Sequence, residues 1–177
     1  MADVTGLEGL GAQLHALITG GRSQATETGR QALGAIERAA GSGRRAAAMV
    51  GVSPSTWRRW KAGGGRSAHS TELLKVAARI IRVPAGREAR IRNGDGGVTV
   101  PITYKNDPTR QRDVGAGSLG LTPGTLGRVL DVYFSGGNNH DMGKAFTDGI
   151  TDPFYQDWFQ ETEESDYGFF FGAIKVG

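Results

Sequence analysis

Residues 53–60, SPSTWRRW, bring short hydroxyls, two arginines and two tryptophans together at spacings suited to contact with a polyanion. Ser53 is a strong helix N-cap, and Pro54 stands at the first helical position, where its missing N–H costs nothing. A helix beginning at Pro54 sends Trp57 and Trp60, three apart, to one side. Ser55, Thr56, Arg58 and Arg59 then stay on the other. Hydroxyls near a helix start, followed one turn later by arginines, suit base-edge and phosphate contacts in a major groove.

The residues upstream supply a partner helix. Ala46, Ala47 and Val50 share one face, small enough for a second helix to cross closely, and Gly51 gives the backbone freedom that a tight turn needs. Residues 44–61 therefore read as a helix-turn-helix, with Arg44, Arg45, Ser53, Ser55, Thr56, Arg58, Arg59, Lys61 and Arg66 as DNA-binding candidates. Charge agrees. From Arg44 to Arg92 there are twelve Lys or Arg against Glu72 and Glu88, a net of +10 in a chain that totals only +3. So concentrated a positive charge favours a nucleic acid, with salt-sensitive binding through counterion release.

A chain of 177 residues holds one large domain or two small ones, and the lack of cysteine excludes disulfides and thiolate metal sites. No stretch approaches the ~20 apolar residues of a membrane span, and no secretory leader is evident, so a cytoplasmic, nucleoid-associated protein is expected. The 29 glycines, several inside helical patterns, suggest mobile connections.

Periodicity orders the rest. Leu7, Leu10, Leu14, Leu17 and Ile18 predict a helix near 6–19, broken by GGRSQATETG. Leu33, Ile36 and Ala40 mark a support helix over 31–40, and Ser70 is the expected cap of the helix STELLKVAARIIR. Residues 1–85 are thus expected to form a helical DNA-binding domain, and 86–97 a basic linker. Beyond it, 98–177 reads as a small mixed α/β domain, making the chain α+β. VTVPITY alternates as a strand, with Pro101 hinting at a sheet edge, and KNDPTRQRD reads as a polar loop. Leu119 to Thr122 suggests a second strand, Pro123 starts a helix, Pro153 interrupts another, and YGFFFGAIKV forms a final strand. The acidic stretch Asp148, Asp152, Asp157, Glu161, Glu163, Glu164 and Asp166 follows no metal-loop pattern and reads as a solvated face suited to a basic protein partner. His140 beside Asp141 is a weak catalytic pair, and Ser135 and Ser165 lack a nucleophile motif, so no conventional enzyme is expected.

The order of these parts, with RRAAAMVGVSPSTWRRW and the segment from Leu119 as the best-matching stretches, resembles the telomere-protecting terminal proteins of actinomycete linear replicons. The resemblance implies binding of telomeric DNA and a side-chain hydroxyl on which a polymerase begins synthesis, leaving the protein attached to the 5′ end. It also implies a DNA polymerase and a telomere-associated protein as partners. No cofactor of the chain's own is implied, the divalent metal coming with the polymerase. In that family the linked threonine falls in the corresponding polar loop, which points to Thr109, between Pro108 and the phosphate-pairing candidates Arg110 and Arg112. Thr103 and Tyr104 are runners-up, and Ser118 comes third. The alternative is a regulator of the Cro/repressor type, a homodimer joined through its C-terminal half, with Trp158, Phe159 and Phe169 to Phe171 as apolar anchors.

Overall fold

The computed structural model describes residues 4–21 and 29–177, so most of the expected GGRSQATETG break lies outside the described residues. Among the described residues there are ten α-helices and four β-strands, a mixed α+β fold with an antiparallel sheet. The chain divides into two compact units, one formed by residues 1–22 and 84–177 and the other by 23–83. Helix α1 (Gly6–Thr19) belongs to the first unit, whereas α2 (Gly29–Ala40), α3 (Gly43–Val50), α4 (Pro54–Lys61) and α5 (Ala68–Arg82) make up the second. The expected helical domain over 1–85 therefore loses its first helix.

The all-helical unit closes on Ala32, Leu33, Ile36, Ala46, Ala47, Trp57, Trp60, Leu74 and Ala78. Small residues dominate on α3, so the two tryptophans fill most of the volume, as the sequence pattern predicts. Helix α3 ends at Gly51, whose φ of 75° is open to glycine at little cost, and α4 begins after the Ser53 cap. The cap of α5 is Ser67 rather than Ser70, because the Ser67 hydroxyl accepts the N–H of Ser70 at 3.1 Å.

In the other unit α1 buries Leu10, Leu14 and Ile18 against α9 (Asn139–Thr147). The two backbones approach so closely that a Cβ on Gly11 would strike the Asn139 carbonyl oxygen, and one on Gly143 the Leu7 carbonyl oxygen. These helical glycines serve close packing rather than mobility. The expected basic linker is also structural: it folds as α6 (Arg87–Arg92) and a 3-10 turn (Asp95–Gly97). Arg87 donates to the Leu17 carbonyl and Arg90 to the Val176 carbonyl, each at 2.8 Å. Arg92 pairs with Asp131 and Glu88, which hold its guanidinium more firmly protonated.

Strand β1 (Val98–Tyr104) is central, not an edge, with β2 (Asp107–Gly115) on one side and β3 (Phe169–Phe171) and β4 (Lys175–Val176) on the other. Pro101 is tolerated there because its missing N–H faces the gap between β3 and β4, where its carbonyl accepts the N–H of Gly172 at 2.8 Å. The same gap splits the expected last strand in two. Leu119 to Thr122 do not form the expected strand: buried Leu119 closes a helical turn, α7 (Ala116–Leu119), which Gly120 at φ 59° ends, and residues 121–122 have no regular structure. Helix α8 (Thr125–Phe134) starts later than Pro123, because Asp95 caps it from a distance, accepting the N–H groups of Gly124 and Leu126 at 2.6 and 2.8 Å. An Asn138/Asp141 capping box opens α9, and Asp152 with Pro153 opens α10 (Pro153–Gln160), so the expected interruption is a full break.

Gly11→Ala and Gly143→Ala should each destabilise the chain by about 3 kcal/mol through overpacking, whereas Gly117→Ala, which meets nothing within 4 Å, should shift it by less than ~1 kcal/mol. Urea unfolding of the three variants checks this.

Candidate nucleic-acid interface

Helix α4 has eight residues, too few to hold a helical conformation alone, so packing sets both its existence and its orientation. Trp57 and Trp60 are buried, with ring centroids 6.4 Å apart, and a helix held by that face presents its opposite side to water. Arg58 and Arg59 are exposed there. The Ser53 hydroxyl accepts the Thr56 N–H at 3.1 Å and lies 2.9 Å from both the Ser55 and the Thr56 hydroxyl oxygens. Three hydroxyls thus gather at the helix start, where the unpaired N–H groups and the positive end of the dipole favour an anion. Arg58 Nε leans on the Pro54 carbonyl at 3.4 Å, which keeps its guanidinium along the helix surface.

Arg44 and Arg45, both exposed, lie in the first turn of α3, where the Ser42 hydroxyl accepts the Arg45 N–H at 3.2 Å. Lys61 and Arg66 are placed differently from the other candidates. Lys61 forms an ion pair with Glu37 on α2, and half-buried Arg66 reaches the Trp60 carbonyl at 3.5 Å. Both brace α4. Glu37, which sequence reasoning missed, is the acid in this brace: the Lys61 ammonium holds its carboxyl below the usual carboxylate range. Only pairing across two helices reveals it, since no local pattern links residues 37 and 61. Residues 29–83 carry eleven Lys or Arg against Glu37 and Glu72, a net of +9.

The hydroxyl candidates lie in the other unit, on or beside the β1–β2 hairpin. The expected polar loop is mostly strand, and Asp107 to Asp113 are exposed on both faces. Register jumps from Thr103↔Gln111 to Tyr104↔Asp107, leaving Pro108, Thr109 and Arg110 bulged out of the ladder. The Thr109 hydroxyl donates to Asp107 Oδ1 at 2.6 Å, and its N–H donates to the same oxygen at 3.2 Å. Asp107 is a second residue that sequence reasoning passed over, although Asp-Pro-Thr is a local turn signature. Arg110 folds back with its guanidinium carbon 4.2 Å from the centre of the Tyr104 ring. Tyr104 is only 3% exposed and Thr103 is half-buried in the central strand, so neither presents a free-standing hydroxyl; Ser118 is exposed on α7.

Other candidates resolve into structural roles. Asp141 belongs to the α9 capping box, Ser135 donates to the Val132 carbonyl, and Ser165 accepts the Tyr167 N–H. Of the expected dimer anchors, Phe159, Phe169 and Phe171 are buried in the core, while Trp158 and Phe170 are half-buried. Among the described residues no helix is long and apolar enough to cross a membrane.

Truncating either exposed arginine should separate base from phosphate contact: Arg58→Ala or Arg59→Ala is expected to lower DNA affinity by ~1–3 kcal/mol, or to reduce the salt slope by about one. A titration across several salt concentrations reads both. The Glu37 brace should also make stability acid-sensitive. Its lowered folded-state value means that the contribution is present above the unfolded value and is lost as pH falls through the folded one. Thermal melts from neutral to acid pH should therefore show a smaller loss for Glu37→Gln than for the native chain.

Comparison with protein-family models, with curated proteins and with solved structures yields no match for this chain, so the reading of its function rests on the geometry and charge above.

Proposed function

We propose that the chain binds DNA through a helix-turn-helix formed by α3 and α4, and acts as the terminal protein of a linear replicon. The observation that carries DNA binding is the outward placement of Arg58 and Arg59 on a helix pinned by buried Trp57 and Trp60, in a segment of net charge +9. Ser55 and Thr56 then stand near base edges, with Arg44 and Arg45 on flanking phosphates. Telomeric DNA, a DNA polymerase and a telomere-associated protein are the partners, in a cytoplasmic, nucleoid-associated setting.

Priming is assigned to Thr109. Its Oγ attacks the α-phosphorus of the first nucleoside triphosphate, a phosphoester bond forms as the bond to pyrophosphate breaks, and the hydroxyl proton passes to Asp107 Oδ1, 2.6 Å away. Divalent metal at the polymerase stabilises the charge that develops on the phosphates. Support for this assignment is the exposure of the bulge, the carboxylate already accepting the hydroxyl, and exposed Arg112 on the same strand for the phosphates. A regulator of the Cro/repressor type, dimerising through its C-terminal half, is the second reading, favoured by half-buried Trp158 and Phe170, the expected anchors that the core does not fully cover.

The chain, its polymerase, telomeric template and one labelled nucleotide should give a protein–nucleotide adduct that mass spectrometry maps to Thr109. Thr109→Ala should abolish the label and Asp107→Asn should slow its formation. Label on another residue removes Thr109 from the role. No label, together with tight binding of duplex half-sites by a dimer, selects the regulator.

A further inference from the structure

The surface beside α10 carries aromatic side chains that the fold does not need buried. Phe154 and Trp158, four apart on α10, stack with centroids 4.8 Å apart, and Trp158 meets Tyr167 at 5.7 Å. Phe154 is 44% exposed and Tyr167 57% exposed, while their neighbours Tyr155, Phe159 and Phe169 supply the buried side. Leaving two large rings in water forgoes the gain of burying them, and a contiguous exposed shelf of this kind marks an interaction surface.

Charge identifies what the shelf fits. Between Lys144 and Lys175 the chain has no Lys, Arg or His and has seven acids. Asp157, Glu163, Glu164 and Asp166 are exposed, and none of them takes part in an ion pair among the described residues. Two cations of the hairpin reach this region and are already engaged: Lys105 Nζ donates to the Thr162 carbonyl at 2.5 Å, and the Arg110 guanidinium covers Tyr104. Tyr104 itself meets Trp158 at 6.1 Å, so this aromatic group already holds one guanidinium against a ring face. The loop that bears Glu163 and Glu164 also lines a groove of about 500 Å³ with Glu8 and His140.

We infer that the shelf formed by Phe154, Trp158 and Tyr167, with its acidic rim, docks an arginine-rich segment of a protein partner. Phosphates are repelled by the rim, whereas guanidinium groups stack on the rings and pair with the carboxylates, which ammonium groups do less well. The inference does not depend on the DNA-binding reading, since it uses a different unit of the chain.

Fluorescence anisotropy on the full chain, with labelled oligoarginine and oligolysine peptides of equal length, tests it. Oligoarginine should bind about tenfold more tightly than oligolysine. The double variant Phe154→Ala, Tyr167→Ala should erase most of that preference, Tyr167→Phe should retain it, and Glu163→Gln with Glu164→Gln should weaken both peptides. Melting curves check that the alanine variant remains folded; if it does not, the double variant Phe154→Leu, Tyr167→Leu, which keeps apolar bulk without a ring, should erase the preference in its place, and a preference unchanged there would overturn the site. Equal affinity for the two peptides, or a preference unchanged in the folded alanine variant, would overturn the docking site. Self-association in sedimentation that disappears in the alanine variant and competes with the peptide would assign the shelf to a second copy instead.

Discussion

Burial of Trp57 and Trp60 against α2, α3 and α5 is the interaction on which the proposed nucleic-acid surface depends. An isolated eight-residue helix has too few hydrogen bonds to offset its nucleation cost, so α4 exists as a helix because its tryptophan face is packed. The same packing removes rotational freedom from the helix. With one face committed to the core, Arg58 and Arg59 are directed to solvent, and the hydroxyls of Ser53, Ser55 and Thr56 converge at its start. The Glu37–Lys61 pair and the Arg66–Trp60 contact then act as braces on that wedge. Exposed ion pairs contribute little to stability, so the tryptophans carry the larger share.

Features written in neighbouring residues were legible in the sequence. The Ser53-Pro54 start, the three-residue spacing of the tryptophans, the glycine turn at 51 and the alternation of VTVPITY all depend on contacts within a few positions. Features that join distant residues were not. Asp95 caps α8 across 29 positions, Arg87 anchors to Leu17 across 70 and Arg90 to Val176 across 86; in a linear reading these are simply members of a basic stretch. Pro101 misled for the same reason. A proline lowers the expectation of a central strand unless one knows that the strand on that side is split at Gly172.

Glycine content carried two meanings that composition alone does not separate. Gly51 supplies a positive φ in the turn before α4, whereas Gly11 and Gly143 let α1 and α9 pack backbone to backbone. The second use explains why the first helix joins the sheet-containing unit rather than the helical one that follows it in sequence. The charge pattern likewise divides by role. Arginines in α6 are fastened to carbonyls and carboxylates, and those at the start of α3 and on the outer side of α4 face water.

The most direct measurement is an amide NMR titration of the whole chain with duplex and single-stranded DNA at moderate salt. Shift changes should concentrate in Ser53 through Arg59 and at Arg44 and Arg45, and should diminish as salt rises. Saturable binding that leaves α4 unperturbed and moves another surface would contradict the account.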